Sequence, residues 1–144
     1  MSVTFRALDP LRDAELVHGW VTHPRTTGRW MARDAKLVDV ERACMRMAAD
    51  EHRRGVLGLR DGEPAFLMET FEEAGPGDLG LRFLTPPTRT PGDPSARSVL
   101  TAVLAHLFED PAVGRVVVEA DVDTAVLGVC TREQFFATTT GVAA

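Results

Sequence analysis

"EDPAVGRVVVEADVDT", residues 109–124, decides the fold class. Asp110-Pro111 reads as a turn. It feeds Val116, Val117 and Val118, a β-branched run without polar alternation, which suits a strand covered on both faces. The run ends among three carboxylates, Glu119, Asp121 and Asp123, and open sheets deliver their chemistry at the carboxyl ends of their strands. The stretch therefore predicts a buried strand over 115–121 whose end borders a site.

Around that strand the chain alternates between helical and extended patterns. Asp93-Pro94 opens an apolar-striped helix over 95–110, and a last helix is predicted over 124–136, followed by a loose tail, 137–144. Upstream, "GVLGLRDGEPAFLMETF" (55–71) has two apolar runs flanking Asp61-Gly62, the dipeptide of a tight hairpin. "LGLRFLT" (79–85) adds a third strand to this meander, and "SVTFRAL" (2–8) is a first strand. A helix over 9–23 starts at Asp9-Pro10 with a stripe of Leu11, Leu16, Val17 and Trp20. A second, over 38–54, places Val40, Cys44, Met47 and Ala48 on one face, with Met45 and Met47 read as a core pair. This order is an α+β layered fold with one central sheet, in a single domain over 1–136.

Composition narrows the function classes. With 144 residues, 44% of them hydrophobic and 26% charged, the chain can bury the core of one domain. Sixteen basic against twenty-one acidic residues, without a Lys/Arg block, lack the footprint of a nucleic-acid binder. Cys44 and Cys130 form no CxxC pair, so free thiols in a reducing, cytoplasmic setting are expected. Neither a signal peptide nor a membrane span is expected. His18 and His23 are too distant from other His or Cys for a metal site, His52 reads as an exposed helix end and His106 as a packing position in the third helix, and no Ser-His-Asp or P-loop pattern occurs.

Three stretches carry a family resemblance. "LVHGWVTHPRTTGRW", "GDLGLRFLTPP" and "LAHLFEDPAVGRVVVEADVDT" resemble the first helix, the fourth strand, and the third helix with fifth strand of GNAT (Gcn5-related) acyltransferases. Among these the chain is most similar to the lysine or hydroxylysine N-acyltransferases of hydroxamate-siderophore biosynthesis. The resemblance implies a mixed, mostly antiparallel sheet flanked by helices, here with the final strands missing, and a possible homodimer or partner subunit covering the open edge. It implies acetyl-CoA or another acyl-CoA as donor and a small-molecule amine as acceptor.

The resemblance also assigns residues. Arg89 and Gly92 in "RTPGDP", with Ser95 and Ala96 opening the next helix, fall where the family holds the coenzyme pyrophosphate on backbone amides. Asp93 and Pro94 depart from that pattern, because proline lacks an N–H and a carboxylate repels phosphate. Asp121 matches the family's amine-deprotonating aspartate. Arg82 replaces a histidine, and a guanidinium cannot accept a proton, so it would bind an anion instead. Trp20 and His23 fall on the acceptor pocket wall, and Glu69 and Glu119 are further candidates for the substrate amine. A surface position is the simpler reading of Glu69. The chain has no tyrosine to protonate the leaving thiolate, and Cys130 or Thr131 stands in its place.

Three classes follow. The first is an acyl-CoA-dependent N-acyltransferase in siderophore or other secondary metabolism. The second is a GNAT-fold enzyme redirected to another reaction, with Arg82 holding an anionic substrate. The third is a non-catalytic binding or partner subunit.

Overall fold

Asp61 and Gly62 both adopt positive φ, 52° and 84°, and fold β2 (Arg53–Arg60) back onto β3 (Glu63–Glu72). Asp-Gly is the pair that tolerates this turn, as the sequence predicts. The structure, a computed structural model, describes residues 2–23, 30–73, 75–85, 95–119 and 128–143. Its other elements are β1 (Val3–Ala7), α1 (Pro10–Val21), α2 (Leu37–Ala49), β4 (Asp78–Phe83), α3 (Ser95–Leu107), β5 (Arg115–Val118), β6 (Val129–Thr131) and α4 (Arg132–Ala143).

The six strands form one sheet in sequential order. Only β4 and β5 run parallel, joined by the α3 crossover; the other neighbours are antiparallel. The fold is thus the expected α+β sandwich with a mixed, mostly antiparallel sheet. Strand periodicity sends alternate residues to two cores. Phe66, Met68, Leu81, Phe83, Val116 and Val118 pack with Val99 and Val103 of α3 on one face. Leu57, Leu67 and Leu84 pack on the other with Val17 and Val21 of α1 and Val40, Cys44 and Met47 of α2.

β4 ends in a bulge. Leu84 and Thr85 both donate their N–H to the Leu67 carbonyl, at 2.9 and 3.2 Å, while the buried Thr85 hydroxyl accepts the Leu67 N–H at 2.7 Å. Two residues facing one bend the strand and increase its twist.

Several local expectations shift. The helix expected over 38–54 stops at Ala49, and Arg53 and Arg54 begin β2. Met47 is core, whereas Met45 is 53% exposed and Ala48 is exposed too. Leu11, read as part of the α1 stripe, is 88% exposed, and Leu16 is also on the surface. The helix expected over 124–136 is replaced by β6 and then α4, which runs to Ala143 and so continues through the stretch read as a loose tail. Thr131 and Gln134 account for the start of α4: each side chain accepts the other's backbone N–H, a capping box.

The core face of α1 includes a charge, Asp13, at 2% exposure. Arg6 of β1 clamps it with two hydrogen bonds of 2.7 and 2.8 Å, and the Asp9 N–H adds a third at 2.9 Å. The Arg6 hydrogen bond, opposed by burial, holds the Asp13 carboxyl below the usual carboxylate range. Its stabilisation is therefore fully present above the unfolded value, about pH 4, and is lost as pH falls through the lower folded value. Asp13→Asn should cost about 2 kcal/mol at pH 7, a typical charge-assisted loss. In urea titrations the gap to wild type should close only below about pH 4; a gap constant down to pH 2 would remove the ion pair as its source.

Burial pushes the Cys44 thiol up to about 11, with the Asp13 charge adding to it, and burial also raises Cys130. Both are free thiols held in the unreactive protonated form.

Candidate active site

The pairing of β4 with β5 stops at Leu81 and Val118, closed by the Glu119 N–H donating to the Leu81 carbonyl at 3.0 Å. β4 runs two residues further, to Phe83. The two parallel strands therefore part beside Arg82 and Glu119, and this fork is the candidate site.

Register lines up one row of side chains across the fork. Gly55 of β2 pairs with Glu69 of β3, which pairs with Arg82 of β4, and Glu119 lies next to Arg82 past the end of β5. These residues share the sheet face of α1 and α2, because each is one position from a residue of the opposite core. Glu69 is 3% exposed, not on the surface as the sequence alone suggests. Its Oε1 accepts from Arg82 Nη2 at 2.5 Å and Arg53 Nη1 at 3.2 Å. A carboxylate is stable at such depth only when its charge is met, and here two guanidiniums meet it.

Arg82 is correspondingly committed. Its Nη2 is held by Glu69, while its Nε is buried without a hydrogen-bond partner, 3.8 Å from Glu119 Oε2. That distance is an ion pair but not a hydrogen bond. An anionic substrate at Arg82 would compete with the buried Glu69 carboxylate, which disfavours the anion-holding role. Glu119 keeps 41% of its side chain exposed and, among the described residues, meets Arg82 in one loose contact.

The other sequence candidates distribute as follows. Trp20 lies on α1, half-buried against the α1–α2 core, and His23 is half-buried in the turn that follows. His18, nearby, donates from Nε2 to the Ala35 carbonyl at 2.9 Å. Ser95 and Ala96 are the first two residues of α3, where a helix presents N–H groups without intrahelical partners. Arg89, Gly92 and Asp121 lie outside the described residues, as do Asp93 and Pro94. Cys130 belongs to the α3 core on the opposite face, and the Thr131 hydroxyl caps α4, so neither meets the row at the fork. Sequence reasoning missed Arg53, which it placed on a helix end; the cross-strand pairing of Gly55 with Glu69 is what brings it to the site.

Among the described residues no group of three or more His, Cys, Asp or Glu side chains could hold a metal ion, and no helix is long and apolar enough to cross a membrane.

The geometry of the fork fits an extended acyl-CoA. Among the described residues the β4 edge beyond Leu81 no longer pairs with β5, and the N-terminus of a 13-residue helix follows this strand in sequence. A strand edge suits a linear amide chain, and a helix start suits phosphate.

Comparison with known proteins agrees with this architecture. The sequence profile of the acetyltransferase (GNAT) domain matches residues 9–140. No curated protein sequence matches the chain. Among solved structures, the aminoglycoside acetyltransferase AAC(6')-Ib in complex with coenzyme A is 20% identical, with a TM-score of 0.74 over 96% of this chain and 99% of that one. The spermidine N-acetyltransferase from Vibrio cholerae, in complex with CoA and spermine, is 16% identical with a TM-score of 0.59, over 81% of this chain and 69% of that one. An uncharacterized protein from Bacillus halodurans is 20% identical with a TM-score of 0.64 over 81% of this chain, which spans only 65% of that protein. At these identities the likeness is one of fold.

Proposed function

Because the chain belongs to the acetyltransferase (GNAT) domain family, we propose that it transfers an acyl group from acyl-CoA to a small primary amine received at the β4–β5 fork. The observation that carries the reading is the parting of β4 from β5 beside a half-exposed carboxylate, Glu119. Family membership supports acyl-CoA as the donor, and the bound coenzyme would supply the thioester carbonyl under attack and the thiolate that leaves. The β4 edge beyond Leu81 and the first turn of α3, from Ser95 and Ala96, are the parts of this chain that would hold it.

The chain's own task is to hold the amine and remove its proton. Glu119 attracts the incoming ammonium, and Arg82, fixed by Glu69, orients the Glu119 carboxylate from the other side. Attack needs a neutral amine, so a carboxylate at the fork must accept the proton. Glu119 and, by the family resemblance, Asp121 are the acids for that role. Positioning alone supplies a large share of such accelerations, so the reaction does not require a histidine on β4. A lysine-like side-chain amine, the acceptor implied by the siderophore resemblance, belongs among the substrates to be tried.

Binding gives a direct test. Acetyl-CoA at a hundred times its dissociation constant should stabilise the fold by about 2.7 kcal/mol, read as a rise in Tm, and amine-dependent release of free CoA should follow. Absence of both would sink the proposal.

A further inference from the structure

A second row of side chains runs beside the ionic one. Register pairs Arg53 with Phe71, Phe71 with Gly80, Gly80 with Val117 and Val117 with Val129, across five strands. Each residue from Phe71 to Val117 is two positions from a member of the ionic row, so both rows share one sheet face.

From Phe71 to Val129 this second row is apolar and partly open. The Phe71 ring lies flat over Gly80, where an added Cβ would come within 2.2 Å of a ring carbon. The Arg53 guanidinium stands 5.9 Å from the centre of that ring. Phe71 and Val117 are half-buried and Val129 is 44% exposed. Among the described residues, none of the three belongs to either core cluster. They form an apolar shelf two residues back along the strands from the ionic row, about 7 Å away at two residues of strand rise.

Charge selects what could lie there. Glu69 is already neutralised by Arg53 and Arg82, whereas Glu119 meets Arg82 only at 3.8 Å. The described part of the face thus offers Glu119 as a half-exposed carboxylate loosely held by its cation, since Arg53 is engaged by Glu69 and by Asp50 at 3.5 Å and Arg82 by Glu69. The shelf offers contact area but no polar side chain. A polyamine or an amino sugar finds a poor match here. A molecule with one ammonium about 7 Å from an apolar body spans both rows.

Resting on the acyl-transfer reading above, we propose that Phe71, Val117 and Val129 form the acceptor's apolar subsite, and that the acceptor is a primary monoamine with an aromatic or branched apolar body. The amine sits at Glu119 and the body lies on the shelf.

The test compares 2-phenylethylamine with spermidine and kanamycin, following CoA release, and measures 2-phenylethylamine binding by protein NMR without acetyl-CoA. We expect kcat/KM for 2-phenylethylamine at least about tenfold above both polycations, as burial of an apolar group of this size provides. Val117→Asp and Val129→Asp should each raise its KM about tenfold or more and leave the KM for acetyl-CoA unchanged. Val129, on the edge strand, keeps the test alive if Val117→Asp does not fold. Preference for spermidine or kanamycin, or an unchanged KM in a folded Asp variant, overturns the subsite and leaves acyl transfer standing. If no amine releases CoA, the acyl-transfer reading falls instead, and the subsite is judged by NMR alone. Binding lost in Val129→Asp then supports it, and no binding by the wild type overturns it.

Discussion

Glu69→Ala should lower stability by about 3 kcal/mol, the low end for breaking a buried ion pair because both guanidiniums are partly exposed and screened. For a chain of this length that is a fall in Tm of about 6–12 °C. The cause is specific. Glu69 is 4% exposed in its side chain and holds Arg82 at 2.5 Å and Arg53 at 3.2 Å, so among the described residues its removal leaves Arg82 with the distant Glu119 contact. Replacing both partners should undo most of the damage: in Glu69→Leu/Arg82→Met no charge is left to be desolvated. Additive losses in that double variant would show that the two side chains are not coupled. A second consequence separates positioning from folding. In Glu69→Gln, which preserves shape, the amine KM should rise while the acetyl-CoA KM stays constant, because Arg82 no longer has a fixed place beside Glu119.

Arg132→Ala should cost about 3–4 kcal/mol, read as a lower urea midpoint with an unchanged m-value. Arg132, the first residue of α4, donates Nη2 to the Phe108 and Asp110 carbonyls at 2.8 and 2.7 Å, and Nε to the Val113 carbonyl at 3.0 Å. These are the carbonyls of the turn between α3 and β5. The guanidinium also stands 5.4 and 5.6 Å from the centres of the Phe108 and Phe136 rings. One planar fork therefore ties α4 to the turn that launches β5. Arg132→Lys should recover little, since an ammonium is a point donor that cannot reach all three acceptors in that geometry. A lysine variant as stable as wild type would reduce the role of Arg132 to charge alone.

Local chemistry was legible wherever neighbours in sequence decide it. Asp61-Gly62 announced its turn, Asp9 and Pro10 announced the start of α1, and the triple valine announced a strand, although only Val116 and Val118 are buried and the face of Val117 is half-open. The "TREQ" word over 131–134 also carried a readable helix start, yet the apolar residues upstream favoured one longer helix and concealed β6. Arg53 was lost for a related reason: the polar run "DEHRR" prolongs a helical pattern, and nothing within it reveals that a strand has begun.

The sequence by itself determined the α+β class, the order of most elements, the family resemblance and the identity of Glu69, Arg82 and Glu119 as separate candidates. Only the tertiary structure decided their relations. Strand register placed the three in one row, sank Glu69 between two arginines, set the apolar shelf alongside, and put Cys130 on the far face. The physical reason is that register and burial depend on pairings between residues far apart in the chain, and a shift by one residue would send each side chain to the other face of the sheet.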